Sequence, residues 1–317
     1  MQSSDTATEI VATIGTRGSP LALAQAREVR AKLAKAHALD SERIAIRVLR
    51  TSGDAIQDRP LYDVGGKGLF TKEIEEALLA GSIDFAVHSA KDVPTFLPEA
   101  AWLAAWLPRE DPRDVFISPH ARRLQDLKAG AVVGTASLRR QAMVLRLRPD
   151  LNVVTFRGNV ETRLRKLAEG QADATILALA GLKRLGLEEK ASSIFTFDEV
   201  LPSAGQGAIA IESRRDDDRI NALLAPINDS DTAVALSAER SFLALLDGTC
   251  RTPIGGHCTV DGGRVHFRGI IISPDGREFF ETTRDGSRHE ASALGTDAAH
   301  ELRKRAGEKF FTLFAGA

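Results

Sequence analysis

Two arginines stand where a helix would ordinarily favour acids. Ser137 reads as a helix N-cap, yet Arg139 and Arg140 fall in the first turn after it. The helix macrodipole makes that end electropositive, so each cation there costs roughly 0.3–1 kcal/mol, and Asp or Glu would be the stabilising choice. Free N–H groups, the dipole end and two guanidinium forks together make a receptor for carboxylate or phosphate. The next βα junction repeats the theme: Arg157-Gly158-Asn159 enters a helix whose first turns carry Arg163 and Arg165. Arg17 lies just ahead of the Ser19-Pro20 helix start, again after a strand. Ligands of open α/β sheets bind where strands end and helices begin. Three such junctions carrying arginine point to a ligand with several negative groups. The plain alternative, arginines solvated or paired with carboxylates, fits any one of them better than it fits the set.

His88-Ser89-Ala90-Lys91-Asp92-Val93-Pro94 leaves a buried strand pattern, Ile83 to Val87. A carboxylate at such an exit is placed to stabilise a developing cation or to move a proton. The competing reading of Asp92 is a turn aspartate ahead of Val93-Pro94. Cys250 follows a helix pattern and sits in Asp247-Gly248-Thr249-Cys250-Arg251-Thr252-Pro253. That loop composition implies access, and Arg251 favours the thiolate, so Cys250 is a candidate nucleophile or attachment point. Cys258 opens a strand pattern and reads as core. Lys67, in Gly65-Gly66-Lys67-Gly68, has the look of a phosphate loop without the spacing of one. His37, His120 and His257 show no ligand spacing, so no metal site is expected.

These residues need an alternating α/β framework. Strand patterns at Val11–Gly15, Ile44–Val48 and Ile83–Val87 bracket helices opening at Ser19-Pro20 and Thr71. Proline and charge then concentrate between Pro94 and Pro119, which reads as a crossing between domains. The rhythm restarts with Val132-Val133, a helix from Ser137, Val153–Phe156, a helix from Asn159 and Thr175–Ala178. Ala172 to Leu182 is the longest apolar stretch and reads as a buried strand. Pro202 to Gly207 precedes another strand, Ala208–Ile211. A helix over Thr232–Leu246, strands Cys258–Val260 and Val265–Ile272, and a terminal helix make a third region. The chain of 317 residues is 43% hydrophobic and 27% charged with net charge −1, ordinary for a soluble protein of two or three domains. No apolar run approaches the roughly 20 residues that span a bilayer. The opening MQSSDTATEI has no basic and apolar pattern of a secretory signal, so a cytoplasmic protein is expected.

The ordered series Thr16-Arg17-Gly18-Ser19-Pro20, Gly65-Gly66-Lys67-Gly68-Leu69-Phe70, His88-Ser89-Ala90-Lys91-Asp92, Arg109-Glu110-Asp111-Pro112-Arg113-Asp114, Ser137-Leu138-Arg139-Arg140-Gln141, Arg157-Gly158-Asn159-Val160, Ala180-Gly181-Leu182-Lys183-Arg184, Gly205-Gln206-Gly207 and Gly248-Thr249-Cys250-Arg251-Thr252 resembles the hydroxymethylbilane synthase (porphobilinogen deaminase) family over nearly the whole chain. The resemblance implies an α/β fold: two type II periplasmic-binding-protein-like domains around a cleft, plus a smaller α/β C-terminal domain. The implied boundaries are 1–107 with 208–225, 113–201, and 230–317. It also implies a transferase of tetrapyrrole (haem) biosynthesis that condenses four porphobilinogen molecules, with ammonia release, onto a dipyrromethane held by a thioether to Cys250. Asp92 would be the catalytic carboxylate. Arg17, Ser19, Lys67, Ser89, Lys91, Thr135, Ser137, Arg139, Arg140, Arg157, Arg163, Arg184 and Gln206 would bind the cofactor and growing chain, and Phe70 would pack on a pyrrole, cover the cleft or pack in the core. A monomer with no nucleic-acid or membrane partner is expected.

Ala136, Ser52 and Asp63 depart from the pattern of bacterial members, which have a hydroxyl residue, arginine and lysine there; none touches Cys250 or Asp92. Two rivals remain open on the sequence. One is a solute-binding or regulatory module for a polyanionic ligand, which a covalently retained pyrrole would exclude. The other is nucleic-acid binding through Arg139 to Lys166, disfavoured by near-zero net charge and 5% aromatics.

Overall fold

The computed structural model describes residues 9–55, 70–246 and 253–315. Four strands open the first sheet: β1 (Ala12–Arg17), β2 (Ile44–Leu49), β3 (Phe85–Ser89) and β4 (Ala101–Trp106). The chain then crosses to a second sheet built from β5 (Asp114–Ile117), β6 (Val132–Gly134), β7 (Asn152–Val154), β8 (Ala174–Ala178) and β9 (Ser193–Ile194). It crosses back to lay β10 (Ile209–Arg214) into the first. The strand orders are β2-β1-β3-β10-β4 and β7-β6-β8-β5-β9. In each sheet the antiparallel strand, β10 or β5, is the first one after a crossing. The two sheets therefore share one topology although their sequences do not repeat, which is the pairing of type II binding-protein halves.

Apolar alternation selects the faces. Ile14, Phe85, Val87, Ile209 and Ile211 pack the first sheet onto the Pro20–Ala36 helix through Val29 and Leu33. Ile74 and Leu78 of the Lys72–Leu79 helix cover the opposite face with Ile83 and Ala86. The predicted helix starts hold in detail. Ser19 Oγ accepts from Ala22 N at 3.3 Å with Pro20 at the first helical position, Ser137 Oγ accepts from Arg140 N at 3.4 Å, and Asn159 Oδ1 accepts from Thr162 N at 2.9 Å. Each cap satisfies one of the helix's orphan N–H groups.

The third sheet is an antiparallel meander of β11 (Ile254–Asp261), β12 (Arg264–Ile272) and β13 (Phe279–Ser287). Helices Ser230–Leu245 and Ala291–Ala315 cover it, and Phe242 and Phe267 meet at 5.0 Å in its core. The last helix is interrupted at Gly307, whose φ of +70° is non-helical.

Two readings of the sequence need correction. Pro94 to Pro119 is not all crossing: it contains β4 and β5, and only the residues between them pass from sheet to sheet. Ala172 to Leu182 is not one strand, because β8 ends at Ala178 and a Leu179–Arg184 helix follows. A continuous apolar run fits either element, and here it serves both. Among the described residues no helix is long and apolar enough to cross a membrane.

Candidate active site

One wall of the cleft is made where β1 and β3 end. Arg17, Ser19, Gln25, Phe70, Ser89 and Asp92 line a cavity of about 60 Å³ there. The Phe70 ring lies 4.1 Å from the Arg17 guanidinium, so it covers that cation on one side. Ser89 Oγ is held by Gln25, whose Nε2 donates to it at 2.9 Å. Ser19 gives its hydroxyl to the helix cap. Asp92 is exposed and makes no hydrogen bond or ion pair among the described residues. Gly205, at the second crossing, adopts φ +76°, and a Cβ on it would meet Lys91 N at 2.9 Å. The crossing thus presses against the Lys91-Asp92 turn, where only glycine fits.

Cations gather near Asp92. Burial between the walls pushes the Lys91 ammonium down to about 8, and Arg140 adds to this while Asp92 opposes it. Solvent still reaches Lys91, so dissolved salt screens part of the effect. Burial likewise lowers Arg163 to about 10, reinforced by Arg140 and Arg157 and opposed by Asp92. Arg140 and Asp92 therefore reach both Lys91 and Arg163, and Arg157 reaches Arg163.

The acid missing from the first turn after Ser137 comes from a distant strand. Asp114, the first residue of β5 and fully buried, receives Arg139 Nη2 at 2.7 Å and Arg140 Nη2 at 2.7 Å. Burial pushes the Asp114 carboxyl up, but the two guanidinia more than reverse this and hold it well below the usual carboxylate range. Arg139 also donates to Leu201 O at 2.7 Å and Arg140 to Ile176 O at 3.1 Å, while Arg139 Nε is buried with no partner. Gln206 closes the joint, its Nε2 donating to Asp114 Oδ1 at 2.9 Å and to Pro112 O at 2.6 Å. Thr135 Oγ1 accepts from Ser137 N at 3.2 Å just beside it. Arg184 lies away from this group: it bridges Glu28 at 3.2 Å and Gly207 O at 3.0 Å across the two halves. A second buried pair, Arg109–Glu239 at 2.5 Å, ties the first crossing to the Ser230–Leu245 helix, and Glu239 also receives Gly205 N and Cys258 N.

Comparison with known proteins places this arrangement. A family model described as porphobilinogen deaminase, dipyromethane cofactor binding domain, matches residues 12–222, and one for the porphobilinogen deaminase C-terminal domain matches residues 233–304. The chain belongs to the porphobilinogen deaminase family. It is similar to the porphobilinogen deaminases of Nitrobacter winogradskyi, 77% identical, and Nitrobacter hamburgensis, 75% identical, each aligned over 100% of both chains. Among solved structures, a periplasmic substrate-binding protein of an ABC transporter from Coxiella burnetii is 16% identical and covers 70% of this chain and 94% of its own, with a TM-score of 0.43.

Of the cysteines, this porphobilinogen deaminase family member has Cys258 buried in β11, its thiol pushed up to about 12 by burial and then by Glu239. Such a thiol is inert at neutral pH. Cys250, Lys67 and Asp63 lie outside the described residues. Ser52, where the pattern has arginine, hydrogen bonds Glu73 through its hydroxyl and its N–H, and Ala136 is exposed. The sequence reading missed Asp114, Glu239, Gln25 and the His88–Glu212 pair as parts of the site. Asp114 and His88 stood inside quoted motifs; Glu212, a lone acid in the apolar β10, was the signal for its pair.

Proposed function

We propose that this chain works as a hydroxymethylbilane synthase with a dipyrromethane attached at Cys250, Asp92 at the reacting centre and the cations near it as carboxylate receptors. Four porphobilinogen molecules condense head to tail, each losing ammonia, and water releases the linear tetrapyrrole. Every porphobilinogen carries an acetate and a propionate, so the growing product accumulates negative charge that Lys91, Arg157, Arg163 and Arg17 meet with charge-assisted hydrogen bonds. Arg140 contributes through its field, being committed to Asp114. When bound, the dipyrromethane supplies the primer and a nucleophilic pyrrole carbon. The donor set suits it: cations in a cleft, a buried unpartnered Arg139 Nε, and no competing thiol, because Cys258 is protonated and enclosed. Thr135, Ser137, Ser19 and Ser89 add hydroxyls near the same walls, and Gln206 and Arg184 act on the crossings.

The observation that carries the reading is Asp92, a carboxylate with no hydrogen bond or ion pair among the described residues that acts electrostatically on Lys91 and Arg163. Loss of ammonia from porphobilinogen leaves a cation, and a fixed carboxylate lowers its energy. We assign working units 1–107 with 208–225, 113–201 and 230–317, a division that the three separate sheets support. The enzyme acts as a cytoplasmic monomer on a small molecule. Intact mass and a peptide map after incubation with porphobilinogen test the proposal: two linked pyrrole units on the Cys250 peptide support it, and Cys250→Ser should lose them. An unmodified protein that only binds the pyrrole reversibly would hand the cleft to a solute-binding module.

A further inference from the structure

The turn that carries Asp92 is held by the third region as well as by the sheet it leaves. Ala90 N donates to Ala208 O at 3.0 Å, which ties the turn to the start of β10. Ala90 and Val93, on either side of Lys91-Asp92, are buried in one cluster with Leu236 and Phe242 of the Ser230–Leu245 helix. Phe85 and Val87 of β3 pack instead into the core of the first sheet. Two adjacent residues of the helix then grip the flanks of the turn. Glu239 Oε2 accepts from Gly205 N at 2.7 Å, and Gly205 is the residue pressed against Lys91 N. Arg240 Nη2 donates to Pro94 O at 2.8 Å and to Thr95 O at 3.2 Å, just beyond Asp92 in the chain.

The turn needs such a hold. Its own closing bond, Val93 N to Ala90 O, is 3.3 Å long, at the weak end of hydrogen-bond geometry. The Asp92 side chain makes no hydrogen bond or ion pair among the described residues, so the backbone on either side must set where its carboxylate stands. Arg240 suits the task. Glu212, fully buried in β10, acts on it as a counter-charge and leaves the guanidinium free to spend its donors on carbonyls. Lysine would bring the same charge from a single point, without the planar fork.

We propose that Arg240 is a positioning residue of the reaction: through Pro94 O and Thr95 O it fixes the turn so that the Asp92 carboxylate stands where the pyrrole cation forms. The inference rests on the role given to Asp92 above. Arg240 acts through Asp92 and not on the pyrrole. A carboxylate stabilises a developing charge best when it need not reorganise, and a displacement of about 1 Å can cost about 10²-fold in rate. The helix that carries Arg240 ends at Leu245, ahead of Cys250 in the chain, so one element holds the catalytic turn and leads to the attachment residue.

The test uses Arg240→Lys and, to avoid stranding a buried carboxylate, Arg240→Met combined with Glu212→Gln, whose amide oxygen still accepts from His88. Hydrogen exchange of the holoenzyme, read by mass spectrometry, should be about tenfold faster at residues 90–96 in the double variant, the scale of one hydrogen bond to a charged group. The rest of the Ser230–Leu245 helix should be unchanged, and Arg240→Lys should stay close to the unmutated protein. In turnover, kcat should fall about 10–100-fold in the double variant with KM within about twofold, and Arg240→Lys should recover most of the loss. Added to Asp92→Asn, the double change should cost less than about twofold more, because no carboxylate is left to place. Unchanged exchange at residues 90–96, faster exchange spread along the whole helix, or an equal loss of kcat with and without Asp92 overturns the inference. Absence of covalent pyrrole on Cys250 in the unmutated protein would sink the functional reading alone, since the exchange pattern still decides whether Arg240 holds the turn.

Discussion

Asp114 and Asp92 share a cation: both act on Lys91, and Arg140 acts on Lys91 while it pairs with Asp114. Asp114 is fully buried, accepts from two arginines and a glutamine, and joins the second sheet to the crossings. Asp92 is exposed on the turn after β3 and accepts from none of them. The difference is one of solvent and distance, not residue type. Where burial removes water, a carboxylate is held only by excellent pairing; where water remains, the same group is left available for a ligand. Among the arginines at helix starts, Arg139 and Arg140 pair with Asp114, whereas Arg163 donates to Gly158 O and is coupled electrostatically to Asp92. A further contrast follows for stability and activity, because one aspartate holds the halves together and the other has nothing structural to lose.

The largest effect is expected from Asp114→Asn, which leaves two buried guanidinia without their counter-ion and should destabilise the fold by about 3–5 kcal/mol in urea unfolding. A loss below about 1 kcal/mol would show that the joint is not held by charge. Acid should find the same joint. Glu239 is lowered to about 2 and Asp114 is lowered too, so their contribution is complete above the unfolded carboxylate range near pH 4. It is lost as pH falls through the lowered values. Acid unfolding followed by circular dichroism should shift to higher pH in Glu239→Gln; an unshifted midpoint would break the assignment.

On the cleft side, Lys91 is a cation that fades as pH rises through about 8. The KM for porphobilinogen should increase above that pH, by about tenfold for the loss of one charge-assisted contact. Lys91→Arg should push this limb to higher pH, and a limb unmoved in that variant would remove Lys91 from carboxylate binding. The smallest effect is Ser137→Ala. It removes a helix cap and should cost about 1 kcal/mol of stability, with little change in the cleft if the hydroxyl serves only the helix.

Much of this was legible in the sequence because it is local. Caps at Ser19, Ser137 and Asn159 depend on residues a few positions apart, and the β8 and β10 runs declare themselves by composition. The ordered motifs gave the family and, with it, the cleft. The Asp114 pairing was not legible: Asp114 and Arg139 are 25 residues apart and meet only because β5 lies antiparallel beside β8 after the crossing. The arginines looked misplaced because their counter-ion belongs to another strand. His88 and Glu212 are 124 residues apart and become neighbours only when β10 returns between β3 and β4. β4 and β13 escaped notice for a different reason: neither alternates cleanly, one lying in a proline-rich stretch and the other mixing threonine, arginine and acid.

The most direct measurement is a quenched-flow mass analysis of Asp92→Asn mixed with porphobilinogen. The variant should melt within about 0.5 kcal/mol of the unmutated protein, as exposed substitutions do. Given the preassembled cofactor, it should show the mass of two pyrrole units on Cys250 and add further units about 10²–10⁴-fold more slowly. Pyrrole addition at the unmutated rate would contradict the account, because Asp92 would then be only a turn residue beside the cleft.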